Sequence, residues 1–263
     1  MPLSDDFKIF CNLECNRYLQ LKEWFNREEI SASVIQTGDL KHFLIRPGEE
    51  RGFDSQNYTK TLVAHYDRFP GSPGANDNGA SVFQLLHLCR YLQDCRYTHN
   101  CQILLTDGEE LHHGSGRKEQ GSYLLGELFK QHGIDRTVMI ILDMCGIGDT
   151  LIYSTGHEKL TGRRSPREEE ILKPILDLIP TYSRGKSLSV TEKYSDDLGF
   201  LAHDFLTLQV SLIPWKERNQ LEEGTIPDSW QTMHTPWDRP EKLEKRSFRI
   251  MEGFLKQISK LCL

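Results

Sequence analysis

The 263-residue chain predicts an α/β fold, a three-layer sandwich with helices on both faces of a mixed, mostly parallel sheet. The first observation is a set of continuous apolar runs: TLVA (61–64), CQILLT (101–106), TVMIIL (137–142) and TLQVSLI (207–213). Runs without alternation suit strands covered on both faces, the usual condition of parallel strands. The second is that helical patterns separate them: ASVFQLLHLCRYLQD (80–94), GSYLLGELFKQH (121–132) and REEEILKPILDLI (167–179), with FRIMEGFLKQISKLC closing the chain. Strands alternating with helices build parallel sheets.

The remaining elements follow in order. Phe7, Ile9, Phe10, Leu13, Tyr18, Leu21 and Trp24 suit one amphipathic helix over 5–28. Two short strands are expected around 31–37 and 41–46. Without repeats, low-complexity tracts or a Pro/Gly-rich linker, the chain reads as a single domain over 1–263, with the helix and hairpin of 1–59 part of it.

Charge and composition exclude several functions. A net charge of −6 gives no basic face for a phosphate backbone, so nucleic acid is not an expected partner. No run of about 18 apolar residues is present, and the acidic start MPLSDDFKIF lacks the basic region of a secretory signal. The expectation is a protein with no membrane partner that is not exported. Seven scattered cysteines, an odd number, are expected to be reduced thiols, hence cytoplasmic. Cys11 and Cys15 would stack on one helical face as core packing.

The stretch LLTDGEELHH (104–113) places Glu109 beside Glu110. Two buried carboxylates repel unless a cation neutralises them, whereas a solvated pair would need none. The other strand ends bear on that choice. HYD follows the first apolar run, DGEE the second and DMCG the third, so acid or histidine arrives repeatedly at the carboxyl edge, where ligands of such sheets bind. GSPGANDNGAS (71–81), with Asp77 at its centre, and MHTPWDRPEKL (233–243) complete a set of His65, Asp77, Glu110, Asp143 and His234.

From about residue 60 to 245 the chain resembles the zinc aminopeptidases of metallopeptidase family twenty-eight (clan MH), which also includes the glutaminyl cyclases. The matching pieces are AHYD, GANDNGAS, LLTDGEE, ILDMCG, SDDLGF and HTPWDRPEK, in the family's order. The resemblance implies a zinc-exopeptidase-like fold and two zinc ions per chain. Asp77 would bridge them, His65 and Asp143 completing one site and Glu110 and His234 the other. Nitrogen and carboxylate donors are those zinc takes, and a bridge needs a carboxylate's two oxygens. Manganese or cobalt would also suit such donors. The resemblance makes Glu109 the general base, moving a proton from a metal-activated water to the leaving amine. Asp67, two residues after His65, is expected to orient that imidazole. Asp196 matches a family position facing the site, while Asp197 is expected to be solvated. Relatives often have a cis peptide after the bridging aspartate, so one is expected after Asp77.

The implied activity is removal of the N-terminal residue of a peptide substrate. Some features depart from the aminopeptidase pattern. LHHGSGRKEQ intervenes before Gly121-Ser122 where many relatives are shorter, and the cyclases also carry a long insert there; His112 and His113 within it are not expected to be ligands. Met233 stands where many aminopeptidases have a tyrosine, which leaves oxyanion stabilisation to zinc with Tyr194 or Trp230. DNGAS and HTPWD look like the peptidases. A glutaminyl-peptide cyclotransferase with one zinc is the alternative. An inactive binding module is the third reading, opposed by the intact five ligands and base. Oligomeric state and side-chain preference stay open.

Overall fold

In the computed structural model, which describes residues 4–48, 53–110, 116–154, 162, 164–186, 188–190 and 195–263, the apolar runs form the centre of an eight-stranded sheet. Its strands are β1 (Ala32–Thr37), β2 (Leu40–Ile45), β3 (Thr59–His65), β4 (Cys101–Thr106), β5 (Thr137–Leu142), β6 (Thr150–Ser154), β7 (Leu188–Val190) and β8 (Leu206–Ile213). Their spatial order is β1-β2-β4-β3-β5-β8-β6-β7. The central pairs β4–β3, β3–β5 and β5–β8 are parallel, as is β6–β7. The hairpin β1–β2, its junction with β4, and β6–β8 are antiparallel.

The helices are α1 (Asp5–Phe10), α2 (Arg17–Arg27), α3 (Ala80–Gln93), α4 (Gly121–Gln131), α5 (Pro166–Leu176), α6 (Ile179–Tyr182), α7 (Asp196–Leu201), α8 (Arg218–Glu222) and α9 (Lys245–Lys260). Successive strand residues divide between two cores, as the period of two in a strand requires. Leu62, Ala64, Val138 and Ile140 join the core beneath α1, α2, α3, α5 and α9. Val63, Met139 and Ile141 join the one beneath α4 and α7. Three layers result. Helix α9 buries Met251, Phe254, Leu255 and Ile258, the i, i+3, i+4, i+7 spacing of an amphipathic helix.

Three expectations change. The helix expected over 5–28 is two helices, because asparagine side chains end one and start the next. Asn12 Oδ1 accepts from Glu14 N (3.0 Å) and Asn16 Oδ1 from Leu19 N (3.0 Å), offering the backbone an alternative to the helical ladder. Cys11 and Cys15 therefore lie in the break rather than on one helical face. The helix expected over 167–179 stops at Leu176 and starts on a Ser165–Glu168 capping box, a pairing that satisfies the first free amides. Strands β6 and β7 were not anticipated, since five and three residues are too few to show a period.

The register places the site. His65 pairs with Thr106 across β3–β4. Val63 pairs with Ile141 across β3–β5, so two residues further on His65 is level with Asp143. All three strands thus end at one edge of the sheet. Phe254 is fully buried between α9 and the sheet, and Phe254→Ala is expected to destabilise the chain by about 3–5 kcal/mol. Urea unfolding measures it; a loss below about 1 kcal/mol would contradict the packing described.

Candidate metal centre and active site

His65 ends β3, Asp143 follows β5, and Glu109 and Glu110 follow β4 after a turn at Gly108. That turn needs glycine. Its φ is 74°, and a Cβ would lie 2.7 Å from Leu40 Cδ1. Asp77 sits in an irregular turn over Ala75–Gly79, and His234 on the loop after Trp230, with φ 60°.

These side chains converge. His65 Nε2 lies 3.2 Å from Asp77 Oδ1 and 3.8 Å from Asp143 Oδ1. His234 Nε2 lies 3.3 Å from Asp77 Oδ2 and 3.0 Å from Glu110 Oε2. The two oxygens of Asp77 thus face different imidazoles. Donor atoms of His65, Asp77 and Asp143 lie within 4.8 Å of one another, as do those of Asp77, Glu110 and His234, and those of His65, Glu109 and Glu110. Both glutamates are only 8 % exposed, which removes the solvated reading of the pair.

The Asp77 turn is held from two sides. Asp238 accepts from Asn76 N (2.8 Å) and Asp77 N (3.0 Å), joining it to the His234 loop. Asn78 Nδ2 donates to Leu142 O (2.7 Å), and Asn76 Oδ1 accepts from Gly146 N (2.7 Å), joining it to the end of β5. The Asp77–Asn78 peptide is cis. Phe69 stacks on the His234 ring, centroids 4.5 Å apart.

Asp67 lies 3.4 Å from His65 Nδ1, and its carboxylate also accepts from Glu109 N (3.3 Å) and Glu110 N (3.0 Å). It therefore fixes the backbone of the glutamate pair as well as facing the imidazole. Asp196 is fully buried and accepts from Thr106 Oγ1 (2.5 Å); burial pushes it up to about 6. Asp197, expected to be solvated, is buried too. Helix α7 packs so tightly on α4 that a Cβ at Gly199 would meet Ser122 Oγ at 2.1 Å, leaving no solvent beside the first turn. Burial raises Asp197 to about 8, with the charges of Asp196 and Asp143 adding to it. Trp230 packs with Met144, Ile152 and Ile213 in an apolar cluster. Tyr194, His112 and His113 lie outside the described residues. Cys145 is buried and donates to Asp143 O (3.4 Å).

The electrostatics test whether these residues suit a cation. Burial pulls the His65 imidazole down, but the Glu109 charge and the Asp143, Asp67 and Asp77 carboxylates outweigh it and hold it well above 6.5. Asp77 and Glu110 push His234 up to about 10. Burial drives Glu109 well above the ordinary carboxylate range and raises Glu110. Positive charge is wanted wherever these carboxylates meet. Both ring nitrogens of His65, Glu110 Oε1 and Asp143 Oδ1 are buried without a hydrogen-bond partner, a costly condition that coordination would relieve. Imidazole nitrogen and carboxylate oxygen are zinc donors, so the residues fit that metal.

A sequence model of peptidase family M28 matches residues 48–258, and the chain belongs to that family. Solved structures similar to it include both kinds of enzyme. The LapA aminopeptidase of Legionella pneumophila superposes with a TM-score of 0.64 at 15% identity, over 94% of this chain and 64% of that one. A glutaminyl cyclase from an Acidobacteriales bacterium gives 0.67 at 18%, over 92% and 84%. A leucine aminopeptidase precursor from Bacteroides thetaiotaomicron gives 0.63 at 16%, over 98% and 97%. The chain spans less than two thirds of the Legionella protein, and such identities establish a shared fold. A search of curated proteins found no match.

Of the residues not singled out in the sequence, Asp238 lay within the quoted HTPWD and was legible as a motif member without a role. Thr106 likewise lay within LLTDGEE without a role, and Phe69 carried no signal.

Two predictions follow from this geometry. Glu109→Gln is expected to keep metal content and lose about 10²- to 10⁴-fold in turnover, the contribution of a positioned base, whereas Glu110→Gln loses metal. Metal analysis of both variants checks this, and equal loss would show ligand and base exchanged. The second concerns Asp197. Its folded value near 8 exceeds the ordinary value of about 3.9, so the folded chain keeps a proton that the unfolded chain releases. Its contribution to stability is full below about pH 4 and lost as pH rises through about 8. Asp197→Asn is expected to flatten that fall in chelator-treated protein, measured by thermal unfolding across pH; an unchanged slope would contradict it.

Proposed function

We propose that the chain is a zinc-dependent exopeptidase that hydrolyses the N-terminal residue of peptides. One observation carries this reading: of three groups of three donors, two share the Asp77 carboxylate, and the third sets Glu109 beside His65 and Glu110. His65 and Asp143 would hold one ion, Glu110 and His234 the other, and Asp77 both. Zinc bound there supplies Lewis acidity that polarises the scissile carbonyl and eases deprotonation of water.

The chain's own residues then do the rest. Glu109 is buried beside His65 and Glu110. It accepts the proton of the attacking water and returns it to the leaving amine. Asp67 positions both steps, since it holds the amides of Glu109 and Glu110 and faces His65. Phe69, stacked on His234, limits the swing of that ring. The whole chain serves as one catalytic unit on this reading, since β1–β2 joins the sheet through β4. The free cysteines are consistent with a cytoplasmic setting, and no described helix is long and apolar enough to cross a membrane.

Glutaminyl cyclisation is the second reading, favoured by the long segment between Glu110 and Gly121. It needs no attacking water, because the substrate amine is the nucleophile, and one ion suffices to polarise the side-chain amide. The close approach of His65, Asp77 and Asp143 would suit a second ion, but the cyclases retain similar residues, so activity on the two substrate classes is the arbiter. An inactive binding module is opposed by the presence of all five donors and Glu109.

Zinc-loaded protein is expected to release N-terminal residues from aminoacyl anilides and short peptides and to take up two metals per chain. Conversion of glutaminyl peptides to pyroglutamyl ones, with leucyl and alanyl peptides uncut, would replace hydrolysis with cyclisation.

A further inference from the structure

We infer that Arg17 is a positioning residue for the candidate metal centre, tying together the two stretches of chain that present His65 with Asp67 and Asp77. The inference rests on the metal-dependent reading of that centre.

Arg17 opens α2 and is 5% exposed. Nε donates to Phe10 O (3.1 Å). Nη1 donates to Tyr66 O (3.0 Å) and Asp67 O (2.9 Å), and Nη2 to Pro73 O (2.7 Å) and Gly74 O (2.9 Å). A guanidinium has five N–H donors, so every one is used, and each meets a backbone carbonyl rather than a carboxylate. The guanidinium also lies over the Phe10 ring, 4.2 Å from its centroid.

What those carbonyls belong to gives the arginine its consequence. Tyr66 and Asp67 directly follow His65, and Pro73 and Gly74 directly precede the Asp77 turn. One rigid fork therefore sets the distance between the two arms of the 66–74 loop, and with it the 3.2 Å approach of His65 to Asp77. The same fork holds the backbone of Asp67, whose carboxylate carries the amides of Glu109 and Glu110. Gly74 records how close the guanidinium comes. A Cβ there would lie 2.9 Å from Arg17 Nη2 and 2.6 Å from Asp77 O, at a φ of +57°. Without the guanidinium, the carbonyls of Tyr66, Asp67 and Pro73 would lose this donor, whereas Gly74 O would keep Gly79 N (3.1 Å). Lysine restores the charge but offers three donors on a tetrahedral head, which cannot reproduce a planar fork. Arg17 precedes the family match, which begins at residue 48.

Zinc affinity measured by competition with a chromogenic chelator tests this on the full chain, with circular dichroism to establish folding. Arg17→Lys and Arg17→Met are expected to weaken zinc binding about 10- to 100-fold, the usual effect of losing a residue that orients ligands. Trp24→Leu, a core change on the same helix, is expected to lower the unfolding midpoint and leave zinc affinity unchanged. If Arg17→Met does not fold, Arg17→Lys decides. Wild-type affinity in Arg17→Lys overturns the inference, as does an equal loss in Trp24→Leu, which would show stability alone at work. A wild-type chain that binds no zinc fails the metal reading itself, and the inference falls with it.

Discussion

Too many carboxylates share one desolvated edge of the sheet, and the rest of the site answers that constraint. Asp67, Asp77, Glu109, Glu110 and Asp143 meet around His65 and His234, with Asp196 and Asp197 buried behind them. In a low-dielectric setting such a group either takes up protons or gathers cations. The directions of titration agree: burial lifts Glu109 and Glu110, while the carboxylates drive His234 up to about 10. Metal ions between the donors would supply the same positive charge without tying up the imidazole nitrogens as proton carriers.

Holding such a group together requires the backbone to resist its repulsion. Parallel register brings His65 and Asp143 level, so the sheet fixes part of the donor set before any loop contributes. The Asp77 turn needs more help and receives it from Asp238, Asn76, Asn78 and the Arg17 fork. Each of these bonds spends side-chain polarity on main-chain amides or carbonyls near a donor. Repulsive side chains are thereby carried on backbone that has little freedom to part.

Much of this was legible in the chain itself. Continuous apolar runs announced β3, β4, β5 and β8, and the acids and histidines after them announced a site at their carboxyl ends. The family resemblance grouped His65, Asp77, Glu110, Asp143 and His234; strand ends present three of them and two loops bring Asp77 and His234 to meet them. What escaped has physical reasons. Asn12 and Asn16 broke a helix whose apolar spacing was continuous, because local side-chain hydrogen bonds outweigh periodicity over one turn. Asp197 looked solvated beside Asp196, yet Gly199 lets α7 close on α4 and bury both. Arg17 had nothing to mark it, since a lone arginine on an amphipathic helix is ordinarily a solvated one; only the convergence of distant carbonyls gives it a role.

Anomalous diffraction at the zinc edge from crystals of the zinc-loaded chain addresses the central claim most directly. Two peaks are expected, one among His65, Asp77 and Asp143 and the other among Asp77, Glu110 and His234, with Glu109 outside both coordination spheres. Peaks that leave Asp77 unliganded, or none near these five side chains, would contradict the assignment of the metal centre.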